Sequence, residues 1–312
     1  MYTLFEKSLL SCCNLCPRQC GVNRIEGELG YCKSDGGLYI SSICVHKGEE
    51  PVISGTKGIC NVFFAHCNLQ CNYCQNHEIS DNNTSITKSS YSLTSIVERI
   101  CSVLDYTENI VGFVSPSHFI PQMMAIIRLL REIGKNPAFV YNSNGYDSVE
   151  SLKMLEGYID VFLPDFKYMN ASISKEYSDA MDYPDVVVIA LKEMFRQKGS
   201  GIRLDANGIA EFGMIIRHLV LPANIENSID VLKYIADELS VRCHISILAQ
   251  YFPTPIVSNH PILCRTITSH EYKKVIEAFY NLGFTRGWLQ DLESNENYRP
   301  DFSNELPFEA NC

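Results

Sequence analysis

The sequence has no long apolar run and little positive charge. No stretch approaches the roughly 18 apolar residues of a membrane-spanning helix, and the first ten residues lack the basic and apolar regions of a signal peptide. Lys and Arg number 26 against 36 Asp and Glu, a formal net charge of −10. A nucleic-acid surface normally needs a basic face. We therefore expect a cytoplasmic protein with neither a membrane nor a nucleic-acid partner.

Internal repeats and low-complexity tracts are also absent, and the composition is ordinary apart from cysteine. The chain has 312 residues, of which 46% are hydrophobic, enough for one large core. It has 14 cysteines, and ten of them lie between Cys12 and Cys74. Disulfides are rare in the cytoplasm, so clustered cysteines there indicate metal binding or catalysis.

Short β-rich runs alternate with helical stretches after residue 58. Strands are predicted over 61–65, 110–114, 138–142, 159–164, 214–219 and 246–250. Ser95 and Glu98 have the spacing of a helix capping box. The alternation predicts a parallel sheet, and six units are fewer than the eight of a closed barrel. We expect an α/β partial (β/α)6 barrel over 59–292, after a Cys-rich segment over 1–58 and before a surface tail over 293–312.

The sharpest motif is Cys67-Asn-Leu-Gln-Cys71-Asn-Tyr-Cys74, which follows the first predicted barrel strand. Three thiolates within one short loop can hold a cubane iron–sulfur cluster and leave its fourth iron open. An open metal position permits chemistry on a substrate, whereas full protein ligation favours a structural role. A zinc loop is the alternative.

This Cys-x3-Cys-x2-Cys pattern, with Tyr73 before its last cysteine, resembles the signature of radical S-adenosylmethionine (SAM) enzymes. From about Cys13 to Trp288 the chain is most similar to pyruvate formate-lyase activating enzymes and their uncharacterised relatives. The resemblance implies the partial barrel of the radical SAM type and a [4Fe-4S] cluster on Cys67, Cys71 and Cys74. It also implies that SAM binds the open iron, that its cleavage gives a 5′-deoxyadenosyl radical, and that Tyr73 lies by the adenine.

Polar residues at the predicted strand ends are candidates for binding the cofactor. Barrel enzymes place their chemistry at these ends. Asp165 and Lys167 resemble the Asp-x-Lys that approaches the nucleoside and its carboxylate in activating enzymes; the alternative is a surface ion pair. Asn142 and Asn144 either bind a ribose or shape a turn. His218, in an Arg-His pair similar to that of the same enzymes, either contacts the cofactor or is structural.

One segment departs from the family pattern. Ser115-Pro-Ser-His118 stands where the family has Gly-Gly-Glu-Pro, which contacts the methionyl amino group. His118 is either a substrate-side residue or a structural one. Glu49 and Glu50 either line the rim of the cavity or are surface charges, and the second interpretation is favoured.

A second cysteine set lies in the N-terminal segment, at Cys13, Cys16, Cys20 and Cys32. Four cysteines with close spacings suit tetrahedral zinc or a second iron–sulfur cluster. A bound metal would also explain how a short segment with little core stays folded. Free thiols are the alternative.

Three classes of function compete. The leading one is an oxidoreductase-type radical enzyme that abstracts hydrogen from a protein or peptide, in the manner of a glycyl-radical-enzyme activase, with a flavodoxin- or ferredoxin-type reductant. The second is radical modification of RNA or of a small metabolite. The third is a zinc or iron–sulfur protein used for binding or electron transfer. Three rather than four cysteines in the loop, together with polar strand ends, favour an enzyme.

Overall fold

The computed structural model describes residues 2–84, 92–296, 299–304 and 307–308. A nine-stranded sheet forms its centre. The strands, numbered in chain order, are β1 Ile40–His46, β2 Ile59–Phe64, β3 Ile110–Val114, β4 Ala138–Ser143, β5 Val161–Pro164, β6 Ile202–Leu204, β7 Ala210–Leu219, β8 His244–Leu248 and β9 Gly287–Leu289.

Ten helices accompany this sheet in the described residues. They are α1 Leu4–Ser11, α2 Pro51–Ser54, α3 His77–Ser80, α4 Leu93–Leu104, α5 Ile120–Glu132, α6 Val149–Met154, α7 Ala171–Ser178, α8 Tyr183–Lys198, α9 Ile225–Tyr234 and α10 Ser269–Asn281. Helices α4 and α8 pack directly against strands of the sheet. Shorter helical turns lie at Arg24–Glu26, Ile235–Leu239, Pro255–Val257 and Leu292–Glu296.

The strand order is β1-β2-β3-β4-β5-β7-β8-β9, and β6 pairs with β7. All pairings from β2 to β9 along this path are parallel, whereas β1 and β6 pair antiparallel with β2 and β7. The path ends at β1 and β9 without closing, which confirms the expected partial barrel. Each of the six predicted strands is present, and β1, β6 and β9 were not predicted. Because β1 lies within 1–58, the sheet begins inside the Cys-rich segment.

Two apolar layers lie on opposite faces of the sheet, because successive side chains of a strand point to opposite sides. Val111 and Phe113 belong to the main core, with helix α5. Ile110, Val140 and Ile215 belong to a smaller inner layer, which the short helix α2 joins through Ile53. Strands buried on both faces read as continuous apolar runs, which is why they were visible in the sequence.

Helix α4 begins earlier than the capping signal predicted. Its N-cap is Ser92, whose side chain accepts the N–H of Ser95. The proposed box of Ser95 and Glu98 was therefore wrong, because both residues lie inside the helix. Serines at 92 and 95 offer overlapping cap spacings, and the sequence alone does not choose between them.

The described part of the C-terminal tail packs on the sheet. The rings of Phe302 and Phe308 lie 5.3 and 5.5 Å from that of Phe63, and Phe308 also lies 4.1 Å from the ring of His46. This segment therefore reaches the C-terminal edge of β2. Among the helices of the described residues, none is long and apolar enough to cross a membrane.

A pair of glycine substitutions tests how closely β4 and β5 approach. Gly145 and Gly157 have φ values of +79° and +83°, so alanine strains the backbone at both by about 1 to 2 kcal/mol. A Cβ at Gly157 meets nothing within 4 Å, whereas one at Gly145 collides with the Asp165 carbonyl oxygen and lies 2.9 Å from the Tyr183 hydroxyl.

We expect Gly145→Ala to cost a further roughly 1 to 3 kcal/mol over Gly157→Ala, because the backbones must separate. Thermal unfolding of both variants under anaerobic conditions measures the difference. Equal melting temperatures would contradict the close packing of these strand ends.

Candidate active site

A cavity of about 200 Å³ lies at the C-terminal ends of the parallel strands. All three cysteines of the predicted cluster loop line it. Four further predicted residues of the barrel do so as well, namely Asn142, Asn144, Asp165 and Lys167, together with Tyr73. The structure therefore brings the cysteine loop and most of the candidate binding residues to one place.

Each sulfur of the loop accepts a hydrogen bond from an uncharged donor. The donors are the Leu69 N–H (3.4 Å) and Asn144 Nδ2 (3.3 Å) to Cys67, the Ser178 hydroxyl (3.0 Å) to Cys71, and the Ser80 hydroxyl (3.2 Å) to Cys74. Burial raises the pKa of Cys67 to about 12 and that of Cys71 to about 11. Metal ligation deprotonates a thiol outright, and donors directed at the sulfur favour the thiolate that forms.

Arg217 is the centre of a buried charged network. Its guanidinium donates to Asp165 Oδ1 at 2.9 Å, to Glu49 Oε2 at 3.0 Å and to Asn142 Oδ1 at 2.5 Å. Lys167 Nζ lies 2.6 Å from the other oxygen of Asp165. Burial alone would raise the pKa of Asp165, but Arg217 and Lys167 hold it below the usual value. The carboxylate therefore stays ionised between two cations.

Lys167 connects this network to the cysteine loop. Burial alone would lower its pKa, but the charge of Asp165 and the nearby Cys71 raise it instead. The ammonium is therefore charged in the cavity. The alternative of a surface ion pair does not describe it, since the side chain is only 13% exposed.

The side chains of Glu49 and Glu50 are buried, so their interpretation as surface charges was wrong. Glu49 Oε1 accepts from Asn61 at 3.0 Å and from Asn142 at 3.2 Å, in addition to its ion pair with Arg217. Glu50 is 5% exposed, and burial raises its pKa. Both carboxyl groups line the cavity. Nothing in the Glu-Glu-Pro sequence indicates that these carboxyl groups lie near Arg217, which comes from a strand far away along the chain.

Asn144 serves the cluster loop. Its Nδ2 donates to Cys67 Sγ and, at 2.9 Å, to Asn68 Oδ1, while its Oδ1 accepts the Tyr146 N–H at 2.9 Å. Both ends of the amide are therefore engaged within the protein. Its main contact in the structure is with the sulfur of Cys67.

His218 lies outside the cavity. It follows Arg217 on strand β7, so its side chain points to the opposite face of the sheet. It is 1% exposed, its Nδ1 donates to the Phe166 carbonyl at 2.7 Å, and its Nε2 lies 2.9 Å from the Ser228 hydroxyl. Burial lowers its pKa to about 4. The structure thus brings Arg217, which sequence reasoning had named only as its neighbour, into the site in place of His218.

Tyr73 and Ser115 complete the wall. The Tyr73 hydroxyl lies 2.5 Å from that of Tyr168, and its ring lies 5.9 Å from that of Tyr251. Ser115 has φ of +53°, a left-handed conformation that favours glycine, and its N–H donates to the Asn142 carbonyl at 2.9 Å. Ser115 adopts this region at a conformational cost.

These residues fit an iron–sulfur cluster with a cofactor that carries both carboxylate and amino groups. The thiols offer the soft ligands that iron–sulfur clusters use, and the wall holds cations and carboxylates side by side. No three His, Cys, Asp or Glu side chains in the described ranges converge on one ion. A cubane does not require this, since each cysteine binds a different iron.

Comparisons with known proteins give one sequence relative and several structural ones. An uncharacterised protein of Methanocaldococcus jannaschii is 29% identical over 283 residues, which cover 88% of this chain and 77% of that protein. No protein-family model matches the chain. A domain of a pyruvate-formate lyase-activating enzyme from Bacteroides vulgatus is 13% identical over 55% of this chain and 93% of that domain, with a TM-score of 0.39. That score is too low to assign a subfamily.

The crystal structure of Streptococcus suis SuiB bound to its precursor peptide SuiA superposes with a TM-score of 0.50 and 11% identity. The match covers 77% of this chain and 51% of SuiB, so the chain spans about half the length of that protein. At this identity the comparison bears on the fold alone. The chain therefore has the partial-barrel fold of the radical S-adenosylmethionine superfamily, the fold that its cysteine loop predicts.

Proposed function

We propose that the protein is a radical SAM enzyme that generates a 5′-deoxyadenosyl radical and abstracts hydrogen from a protein or peptide. The observation that carries this proposal is the shared cavity: three hydrogen-bonded thiols open onto the same space as Lys167, Asp165 and Arg217. When bound, the cluster and SAM would supply the electron and the radical. The part of this chain is to bind, orient and shield them from water.

In this proposal Lys167 binds the carboxylate of SAM. It is a compact cation beside the cysteine loop, and its present partner, Asp165, has a second cation in Arg217. The negative charge of Asp165 therefore stays paired with Arg217 when Lys167 moves to bind a ligand. Glu49, in the same network, provides a carboxylate in a site whose β3 loop lacks the family's glutamate.

In this proposal Tyr73 holds the adenine. It is 4% exposed, lies between two cluster cysteines and lines the cavity. Its hydroxyl is occupied by Tyr168, which fixes the ring and leaves its apolar surface for stacking. Asn142 is held by Arg217 at the end of β4, where it would meet the ribose that follows the base.

A macromolecular substrate is supported by the open sheet. Strands β1 and β9 end the sheet without pairing to each other, so the cavity is not ringed by strands as in a closed barrel. SuiB, which shares the fold, was crystallised with a precursor peptide. A protein glycine is the position that an activase would attack. A flavodoxin- or ferredoxin-type protein would supply the electron.

The cluster assignment predicts which cysteine is needed for iron. Cys71→Ala should lose the four-iron cluster, whereas Cys101→Ala, at a half-buried cysteine of helix α4, should keep it. Iron content and the air-sensitive absorption of anaerobically reconstituted protein measure this. A loop that takes up only zinc under the same conditions would contradict the assignment.

The role of Lys167 predicts a loss of SAM affinity. Lys167→Met should weaken SAM binding by about 10- to 100-fold, because a hydrogen bond to a charged group contributes about 1.5 to 3 kcal/mol. Lys175→Met is the matched control, since Lys175 pairs with Asp179 on the exposed surface. Equilibrium binding to the reconstituted protein gives both affinities. Equal affinities, at unchanged iron content, would remove Lys167 from the SAM site.

The substrate class is tested by tracing deuterium. The reduced enzyme is incubated with SAM and with a cellular protein fraction labelled with deuterated glycine, and 5′-deoxyadenosine is then examined by mass spectrometry. We expect deuterium in this product. If deuterium arrives only from the dialysable metabolite fraction or from labelled RNA, the protein is still a radical enzyme, but its substrate is not a protein.

A further inference from the structure

A second, much smaller cavity lies under the N-terminal segment. The four cysteines of that segment line it, together with His118 from the loop after β3. Its volume is about 10 Å³, compared with about 200 Å³ for the first cavity. A volume of about 10 Å³ has room for roughly one water-sized sphere. The cavity therefore suits a single ion, and a cubane cluster is too large for it.

His118 lines this cavity, and one of its ring nitrogens has no hydrogen-bond partner among the described residues. The side chain is 1% exposed, and its Nε2 lies 3.0 Å from the carbonyl oxygen of Ala65. A carbonyl oxygen only accepts, so Nε2 carries the proton and Nδ1 is the bare nitrogen. Within the part of the chain that the structure describes, Nδ1 has no hydrogen-bond partner. A histidine that donates one ring N–H to a carbonyl while its other nitrogen is unpartnered has the arrangement of a metal ligand.

Arg24 supplies a buried positive charge at the same place. It is 1% exposed, its Nη1 lies 3.9 Å from Cys13 Sγ, and its other donors go to the carbonyl oxygens of Asp35 and His118. Among the described residues no carboxylate forms an ion pair with it. A buried cation needs a compensating anion. Thiolates bound to a metal would provide that negative charge.

The cysteines differ in their surroundings. Cys13, Cys16 and Cys32 are 8%, 7% and 7% exposed, whereas Cys20 is only half-buried and its sulfur accepts the Tyr31 N–H at 3.3 Å. No three potential ligands in the described ranges yet meet around one point. The thiols would reach an ion beside His118 by turning about their Cα–Cβ bonds.

We propose that this cavity is a closed structural site for one zinc ion, bound by Cys13, Cys16, Cys32 and Nδ1 of His118. Three thiolates and a neutral imidazole are a recurrent tetrahedral set for structural zinc. They leave one negative charge on the complex, which Arg24 balances. Four thiolates would leave two negative charges on the complex. The single positive charge of Arg24 therefore favours His118 over Cys20 as the fourth ligand.

Such an ion would join two parts of the chain that are distant in sequence. Its cysteines lie in the N-terminal segment, and its histidine lies in the loop that begins with the strained Ser115 at the wall of the first cavity. The site would thus fix the segment that replaces the family's Gly-Gly-Glu-Pro. This proposal does not depend on radical chemistry, because its test measures metal content.

The test is the zinc content of the full-length protein, purified anaerobically without chelators, and its zinc affinity in competition with a chromophoric chelator. Wild-type protein should hold about one zinc ion per chain. His118→Ala should lower the affinity at least about 100-fold, since loss of even an outer partner of a ligand commonly costs 10- to 100-fold. His218→Ala, at an equally buried histidine away from the cavity, should keep the zinc.

Two further variants separate ligation from folding. His118→Cys should restore zinc binding and shift the absorption of the cobalt-substituted protein toward that of four thiolates. Cys20→Ser should keep zinc, whereas Cys16→Ser should lose it without loss of iron from the Cys67 loop.

The proposal is overturned if wild-type protein binds no zinc or holds iron at these cysteines. It is also overturned if His118→Ala binds zinc as tightly as wild type, or if Cys20→Ser loses zinc as His118→Ala does.

Discussion

Side chains alternate between the two faces of a strand, and the candidate site depends on this alternation. On the inner face, Val140 of β4 is followed two residues later by Asn142, and Ile215 of β7 is followed by Arg217. An apolar layer at the start of the strands thus gives way to a polar layer at their C-terminal ends. Because neighbouring strands are parallel and in register, these polar groups meet at one level of the barrel.

Pairing of opposite charges offsets the free-energy cost of burying that polar layer. Arg217 is paired with two carboxylates, and one of them is paired again with Lys167. Removing Arg217 would leave the buried carboxylate of Glu49 without its arginine partner, and such a loss typically costs several kcal/mol. The network thereby holds Asp165 and Lys167 in fixed positions beside the cysteine loop. A preorganised set of charges is what binding and orienting a zwitterionic cofactor requires.

The N-terminal segment is tied to the barrel by polar contacts. Arg18 donates to the carbonyl oxygens of Asn68 and Asp179, and Arg24 donates to that of His118. Ser151 donates to the Leu15 carbonyl at 2.6 Å. The segment therefore contacts both the cluster loop and the loop after β3, and a metal ion there would reinforce contacts that already exist.

The sequence by itself determined the parallel sheet, the three cysteines of the cavity, and the Asp165–Lys167 pair, because these depend on local patterns and on order along the chain. The alternation of side chains along β7 also predicts that Arg217 and His218 point to opposite faces of the sheet. Only the tertiary structure brought Glu49 to Arg217, more than 160 residues away in sequence, and His118 to the N-terminal cysteines. Such pairings depend on how loops pack over a curved sheet, and neither periodicity nor spacing records that geometry.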